Sequence, residues 1–112
     1  MNVHCYTTTG GKDLIKDYIS HLSNAERVDG MSVLQSMKEG RMDKLTIKPW
    51  QGKVWEVHFH KHNRIFYVAI GGNDIYLLHA CRKQKNKTTK TDAQIVRIRA
   101  KELDALVQEN FI

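Results

Sequence analysis

The chain has 112 residues and a mass of 13.0 kDa, with 41% hydrophobic and 27% charged residues and a net charge of +6. This length encloses one hydrophobic core but not two, so a single domain over residues 1–112 is expected. Composition and pattern argue against three classes. No apolar run approaches the roughly 18 residues of a membrane span, the opening MNVHCYTTTGGKD lacks the apolar stretch of a secretion signal, and Cys5 and Cys81 stand far apart without CxxC spacing. A cytoplasmic protein without a disulfide framework or thiolate metal site is expected.

In chain order, a short first strand is expected at Asn2 to Tyr6, broken by Gly10-Gly11. Leu14, Ile15, Tyr18, Ile19 and Leu22 recur at helical spacing, predicting an amphipathic helix over residues 12–22. Ser23-Asn24-Ala25-Glu26 has the S-x-x-E form of a capping box, followed by Val28, Met31, Leu34 and Met37 at intervals of three, before Gly40 ends a second helix that Gly30 weakens. Residues 41–52 read as a connector with Leu45, Ile47 and Trp50 on the core. Three β-type runs follow at 54–60, 64–70 and 74–81, with Gly71-Gly72-Asn73-Asp74 as a turn between the last two. Short intervals make them an antiparallel meander. Thr91-x-x-Gln94 then caps a last helix whose apolar face is Val96, Ala100, Leu103 and Val107.

The charge is localised. Between Arg82 and Lys101 stand eight basic residues (Arg82, Lys83, Lys85, Lys87, Lys90, Arg97, Arg99, Lys101) against the single acid Asp92, whereas the rest of the chain carries 10 basic and 11 acidic residues. Such a segment fits a phosphate backbone or a polyacidic partner; a solvated basic helix face is the plainer alternative.

The stretch VWEVHFHKHNRIFYV, residues 54–68, holds three of the six histidines. Alternation along a strand puts Val54, Glu56, His58 and His60 on one face and Trp55, Val57 and Phe59 on the other, which reads as the core set. A loop Lys61-His62-Asn63 places His60 opposite Arg64 and His58 opposite Phe66, keeping the Arg64 guanidinium away from the core. The face then carries Glu56, His58, His60 and Arg64, beside the strand that ends at His79, Arg82 and Lys83. Three readings stay open. His58-x-His60 could chelate zinc if Glu56 or His79 supplied a third ligand, although Arg64 on the same face repels a dication. The histidines could transfer protons, with arginine holding a phosphate, as cleavage of RNA by its own 2′-hydroxyl requires without any metal or other cofactor. Or the strand is polar and idle, with Glu56 pairing Arg64, His79 a core residue and His62 simply exposed.

The residues also carry a resemblance. Gly52-Lys53-Val54-Trp55-Glu56-Val57, Asn63-Arg64-Ile65-Phe66-Tyr67, Leu77-Leu78-His79 with Arg82-Lys83, and Lys87-Thr88 in a basic loop resemble the RelE/ParE toxin superfamily, most closely its phage-derived, HigB-like branch. The resemblance covers roughly residues 45–105 and implies an α+β fold, a RelE-like βααβββ antiparallel sheet packed on N-terminal helices with a C-terminal α-helix. It implies the toxin of a type II toxin–antitoxin system, a ribosome-dependent mRNA endonuclease that inhibits translation. Its partners would be the ribosome, mRNA and a cognate antitoxin of helix-turn-helix, HigA-like type, in a toxin–antitoxin hetero-oligomer. The catalytic set would be His58, His60, Arg64, Arg82 and Lys83, with Lys53, Lys61, Lys85, Lys87, Lys90 and Arg97 binding RNA. The chain departs from the branch where His58 replaces a basic residue, Cys81 an aromatic and Thr88-Thr89 a Thr-Pro. A non-catalytic, ParE-like inhibitor of DNA gyrase shares the fold and is the alternative.

Overall fold

The computed structural model describes residues 1–83 and 87–112. Its elements are β1 (Asn2–Cys5), α1 (Leu14–Ser20), α2 (Asn24–Lys38), a 3₁₀ turn (Met42–Lys44), β2 (Thr46–Gln51), β3 (Val54–Phe59), β4 (Asn63–Ile70), β5 (Asp74–Arg82) and α3 (Lys90–Val107). The five strands form one mixed sheet in the order β1-β5-β4-β3-β2, in which β2 to β5 are an antiparallel meander and β1 joins β5 in parallel. The α+β fold with N-terminal helices and a C-terminal helix is the RelE-like one expected, with one strand more. The connector expected at 41–52 contains β2. Proline is tolerated there because β2 is an edge strand, where a missing N–H costs no ladder bond.

Both faces of the sheet are covered. Ile15 and Ile19 of α1 and Val33, Leu34 and Met37 of α2 pack on Val57, Phe59, Ile65, Tyr67, Ile75 and Leu77. Val96, Ala100 and Leu103 of α3, with Phe111, pack on Val54, Phe66, Val68, Leu78 and Cys81 from the other side. Two-sided burial explains why β4 reads as an unbroken buried run from Asn63 to Val68 rather than an alternating one. It also corrects two expectations. Trp55 lies beyond the reach of α1 and α2 and is 41% exposed, whereas Glu56, expected to face outward, is 3% exposed on the face that α3 covers.

The caps set the helix ends. The Asp13 side chain accepts from the amides of Ile15 and Lys16 to start α1, and Ser23 accepts from Glu26 to start α2, as its capping box predicts. For α3 the cap is Thr89, which accepts from Asp92, and not Thr91 as expected. Within α2, Val28 and Met31 are exposed, and the buried face is Glu26, Gly30, Val33, Leu34 and Met37. Gly30 has a packing reason: a Cβ there would stand 3.1 Å from Ile19 and from Phe59. Gly52, in the left-handed region at φ 53, closes the β2–β3 turn directly beneath the Phe111 backbone, whose carbonyl accepts from Lys53.

Two strand irregularities double up residues on the α3 face. In β5, Phe66 pairs with His79 but Tyr67 pairs with Leu77, so Leu78 is extra. As a result Leu78 and His79 both turn toward α3. In β2 the register shifts between Pro49 and Gln51, and Trp50 and Gln51 both approach Arg97 of α3. Among the described residues, no helix is long and apolar enough to cross a membrane.

Candidate functional site

The β3–β4 turn is His60-Lys61-His62, and the register is His58 opposite Arg64 and Phe59 opposite Asn63. The expected pairing of His60 with Arg64 is therefore shifted by two residues, which preserves facing: His58 and Arg64 still share a side. His60 leaves it. Its backbone and that of Lys61 adopt left-handed φ values of 47 and 67, and its Nδ1 lies 2.8 Å from Asp29 of α2. Left-handed turn residues match the twist of the flanking strands, so the turn forms one residue earlier than alternation alone suggested.

What the fold brings together on the α3 face is Glu56, His58, Arg64 and Lys83. One carboxylate oxygen, Glu56 Oε1, meets His58 Nε2 in a short hydrogen bond, accepts from Lys83 Nζ at 2.8 Å and lies 3.7 Å from Arg64 Nε. Burial alone would raise the Glu56 carboxyl, but the Lys83 and His58 hydrogen bonds outweigh it and hold the carboxyl below its ordinary value. An ionised carboxylate only accepts, so His58 Nε2 carries the proton and Nδ1 of the neutral ring keeps its lone pair. Burial pushes the imidazole below its ordinary value, with Arg64 and Lys48 adding to that push against the pull of Glu56. Near neutral pH, His58 is thus an oriented, unprotonated base.

Arg64 is 5% exposed, and its Nη1 donates to the carbonyls of Lys61 and Asn63 at 3.0 Å each. Its Nε is, among the described residues, a buried side-chain donor without a hydrogen-bond partner. Arg82 points to the opposite side of the sheet. Its Nη2 donates to Glu26 Oε1 at 2.7 Å; Asn63 donates to the same oxygen, Ser23 to the other, and Tyr18 to Asn63. Burial would raise the Glu26 carboxyl, but the Arg82, Ser23 and Asn63 bonds bring it down to about 2. The expected set accordingly divides: His58, Arg64 and Lys83 meet at Glu56, Arg82 sits at Glu26, and His60 sits at Asp29.

A third polar group joins His79, Cys81 and Asp92, whose ligand atoms lie within 4.8 Å of one another. That spacing could suit a metal. However, His79 Nε2 is 2.8 Å from Asp92, and Arg99 Nη1 stands 3.4 Å from His79 Nδ1 while donating to the Leu78 carbonyl. A metal on Nε2 would leave Nδ1–H facing the arginine N–H groups and bring a second positive charge beside them. Burial, with Asp92 adding to it, also pushes the Cys81 thiol up to about 12, the reverse of what a thiolate ligand needs. The group reads as a tether between β5 and α3.

The basic segment is partly spent inside the molecule. Arg82, Lys83 and Arg99 are engaged by Glu26, Glu56 and the Leu78 carbonyl, with Arg99 also 4.2 Å over the Tyr6 ring. Lys87, Lys90 and Lys101 are exposed. Lys61 is exposed on the turn, and Lys53 is exposed and 3.4 Å from Glu109. Arg97 lies over Trp50. Lys85, expected among the RNA contacts, lies outside the described residues.

A family model described as "Phage derived protein Gp49-like (DUF891)" matches residues 17–101, which is most of the chain and spans every residue of these three groups. The chain belongs to this family. Gp49-like proteins are a phage-derived, RelE-like family of toxin character, which implies a cognate antitoxin as partner. None of the curated proteins compared with the chain matches it.

Of the acids that organise these groups, Glu56 is legible in the sequence as a partner of Arg64, whereas Glu26 and Asp92 are not. Glu26 was read only as a helix cap, and Asp92 only as a lone acid in a basic run. Asp92 stands out as a single carboxylate amid eight cations, but its partner is His79 of β5 rather than any of them, so the run itself carries no signal for the pairing.

Proposed function

We propose that this Gp49-like chain is the toxin of a type II toxin–antitoxin pair and cleaves mRNA at the ribosome by attack of the 2′-hydroxyl on the adjacent phosphate. The observation that carries this reading is the Glu56–His58 hydrogen bond with Lys83 and Arg64 around it. Glu56 fixes the tautomer, and His58 Nδ1 removes the 2′-hydroxyl proton. The 2′ oxygen bonds to phosphorus and the bond to the 5′ oxygen breaks, leaving a 2′,3′-cyclic phosphate. Lys83, the proton-bearing group on the same carboxylate, delivers a proton to the leaving oxygen. Arg64 Nε, among the described residues a buried donor without a hydrogen-bond partner, would turn to the oxygen that gains charge in the phosphorane. Lys53, Lys61, Lys87 and Lys90 hold the RNA backbone.

A second reading, a ParE-like toxin that binds gyrase without cleaving RNA, draws on one observation: Arg64 is largely buried and tied to the carbonyls of its own turn. Purified protein added to a translating extract separates the two. New mRNA 5′ ends within coding sequence, lost with His58→Ala, support the nuclease. Intact mRNA together with failure of DNA supercoiling would sink it.

A further inference from the structure

A cleft of about 670 Å³ opens between β2 and the first turns of α3, lined by Trp50, Gln51, Thr88, Lys90, Gln94 and Arg97. Its charge sets it apart from two other clefts of the molecule: one of those includes Glu102 and the other Asp29, whereas this one has two cations and no acid. Its volume lies within the usual range of small-ligand sites.

The arginine is prearranged. Its guanidinium lies 5.5 Å from the centroid of the Trp50 ring, and Trp50 is itself braced edge-on against Phe66 at 5.2 Å. Arg97 Nε donates to Gln51 Oε1 at 3.1 Å. The β2 irregularity makes both contacts possible by turning Trp50 and Gln51 toward α3 together. With Nε used and the guanidinium over one face of the indole, the two Nη groups have no hydrogen-bond partner among the described residues, and they and the outer face of the guanidinium are what a ligand would meet. A flat cation that offers a stacking surface and a donor fork suits a nucleobase and its phosphate. A carboxylate peptide would use the fork and leave the plane idle. Gln94 and Thr88 add neutral donors and acceptors for a base edge.

The cleft lies on the same face of the sheet as the site above. Along β2, Lys48 pairs with Glu56 and Thr46 with His58. Thr46 lies four residues from Trp50, about 14 Å at ~3.4 Å per residue. Lys48, whose charge His58 feels, bridges the interval.

We propose that this cleft binds one nucleotide of single-stranded RNA away from the scissile phosphate, its base stacked on Arg97 and its phosphate held by Arg97 and Lys90. The inference rests on the nuclease reading for its substrate, but its binding step can be tested apart from cleavage. In a Trp55→Phe background, Trp50 is the sole tryptophan. A short 2′-O-methyl RNA, which cannot be cleaved, should quench its fluorescence on titration. Arg97→Ala should weaken binding by roughly tenfold, the scale of one lost base stack. Arg97→Lys should retain affinity for an oligonucleotide lacking the stacked base but lose the preference for the intact one. Lys90→Gln, an exposed change at the start of α3, should weaken both oligonucleotides alike and guards against misfolding of the Arg97 variants.

Unchanged affinity in both Arg97→Ala and Lys90→Gln would overturn the proposal. So would an acidic peptide that binds more tightly than RNA and displaces it, which would mark the cleft as a protein-docking site. Cleavage is scored separately. If His58→Ala leaves cleavage intact while Arg97→Ala weakens RNA binding, the catalytic assignment falls and the cleft stands. If His58→Ala abolishes cleavage while neither cleft variant alters binding, the cleft falls and the nuclease stands.

Discussion

At the scale of residues, the decisive atom is Glu56 Oε1, because three cationic or proton-bearing side chains converge on it. His58→Ala is expected to slow cleavage about 10²–10⁴-fold with the fold intact, as for loss of a general base. The pH dependence has a definite sign. A base must be unprotonated to act, and burial places the His58 value below the ordinary histidine one, so the wild-type rate should stay on its plateau through neutral pH and fall only on acidification. Rates of RNA cleavage measured from pH 5 to 8 check this, and a limb that persists in His58→Ala would assign the titration elsewhere. Glu56→Gln removes the anion and leaves Lys83 and Arg64 facing a neutral amide. Breaking a largely buried pair from one side costs about 3 kcal/mol, so this variant should unfold at clearly lower denaturant concentration than wild type. His58→Ala should not.

At the scale of elements, Gly30 and Gly52 make opposite demands on intuition. An alanine at position 30 gains about 1 kcal/mol in helix propensity, but its Cβ would press on Ile19 and Phe59, and overpacking costs about 1–3 kcal/mol, so a net loss near 1 kcal/mol is expected in a thermal melt. Sequence inspection counted Gly30 as a weakness of α2 because the residues it touches lie on other elements. The apolar set Val28, Met31, Leu34, Met37 misled for a related reason. A step of three residues turns a helix by about 300°, so each step drifts some 60°, and four such residues cannot share one face. Leu34 and Met37 reach the core, and the rest of that face is Gly30 and Val33. The strands were legible because β-branched and aromatic runs between turn residues admit little else, and the Gly71-Gly72-Asn73-Asp74 turn joins β4 to β5 as read. β2 was not, since Lys48, Pro49 and Gln51 give it neither alternation nor β-rich composition. Of the site, the shared face of Glu56, His58 and Arg64 was legible from period two alone. Lys83 is named there only through the resemblance, and the partners Glu26 and Asp29 of α2 and Asp92 of α3 are not, because they lie on other elements and no local pattern encodes the meeting.

At the scale of the whole molecule, charge governs both partners and pH range. RNA binding should weaken steeply between low and moderate salt, because exposed lysines displace counterions from phosphates, and filter binding at several salt concentrations measures the slope. Stability should fall on acidification. Glu26 and Glu56 have folded values below their unfolded ones, so their contribution is full above the ordinary carboxyl value of 4.5 and is lost as pH falls, for Glu26 toward about 2. His58 and His79 are likewise lowered, and they oppose folding once they begin to charge below the ordinary value of 6.5. Melting temperature should therefore be level near neutrality, decline below about pH 6.5 and drop further below about pH 4.5. The extra residue in β5 governs how these charges are distributed. Arg82 and Lys83 are neighbours in sequence, yet one meets Glu26 under α2 and the other Glu56 under α3. Leu78 works as a phase shift in the strand: everything after it faces the side opposite to that which simple alternation from Ile75 would assign. Deleting that single codon would remove the extra residue and its phase shift together, so Arg82 would still face Glu26 while His79, Cys81 and Lys83 would still face α3; inserting one residue between Leu78 and Arg82 without a second bulge would instead exchange the two cations between the two carboxylates. For this strand, a one-residue insertion that no second bulge absorbs is thus a graver change than most substitutions, because it rewrites which half of the molecule each charge belongs to.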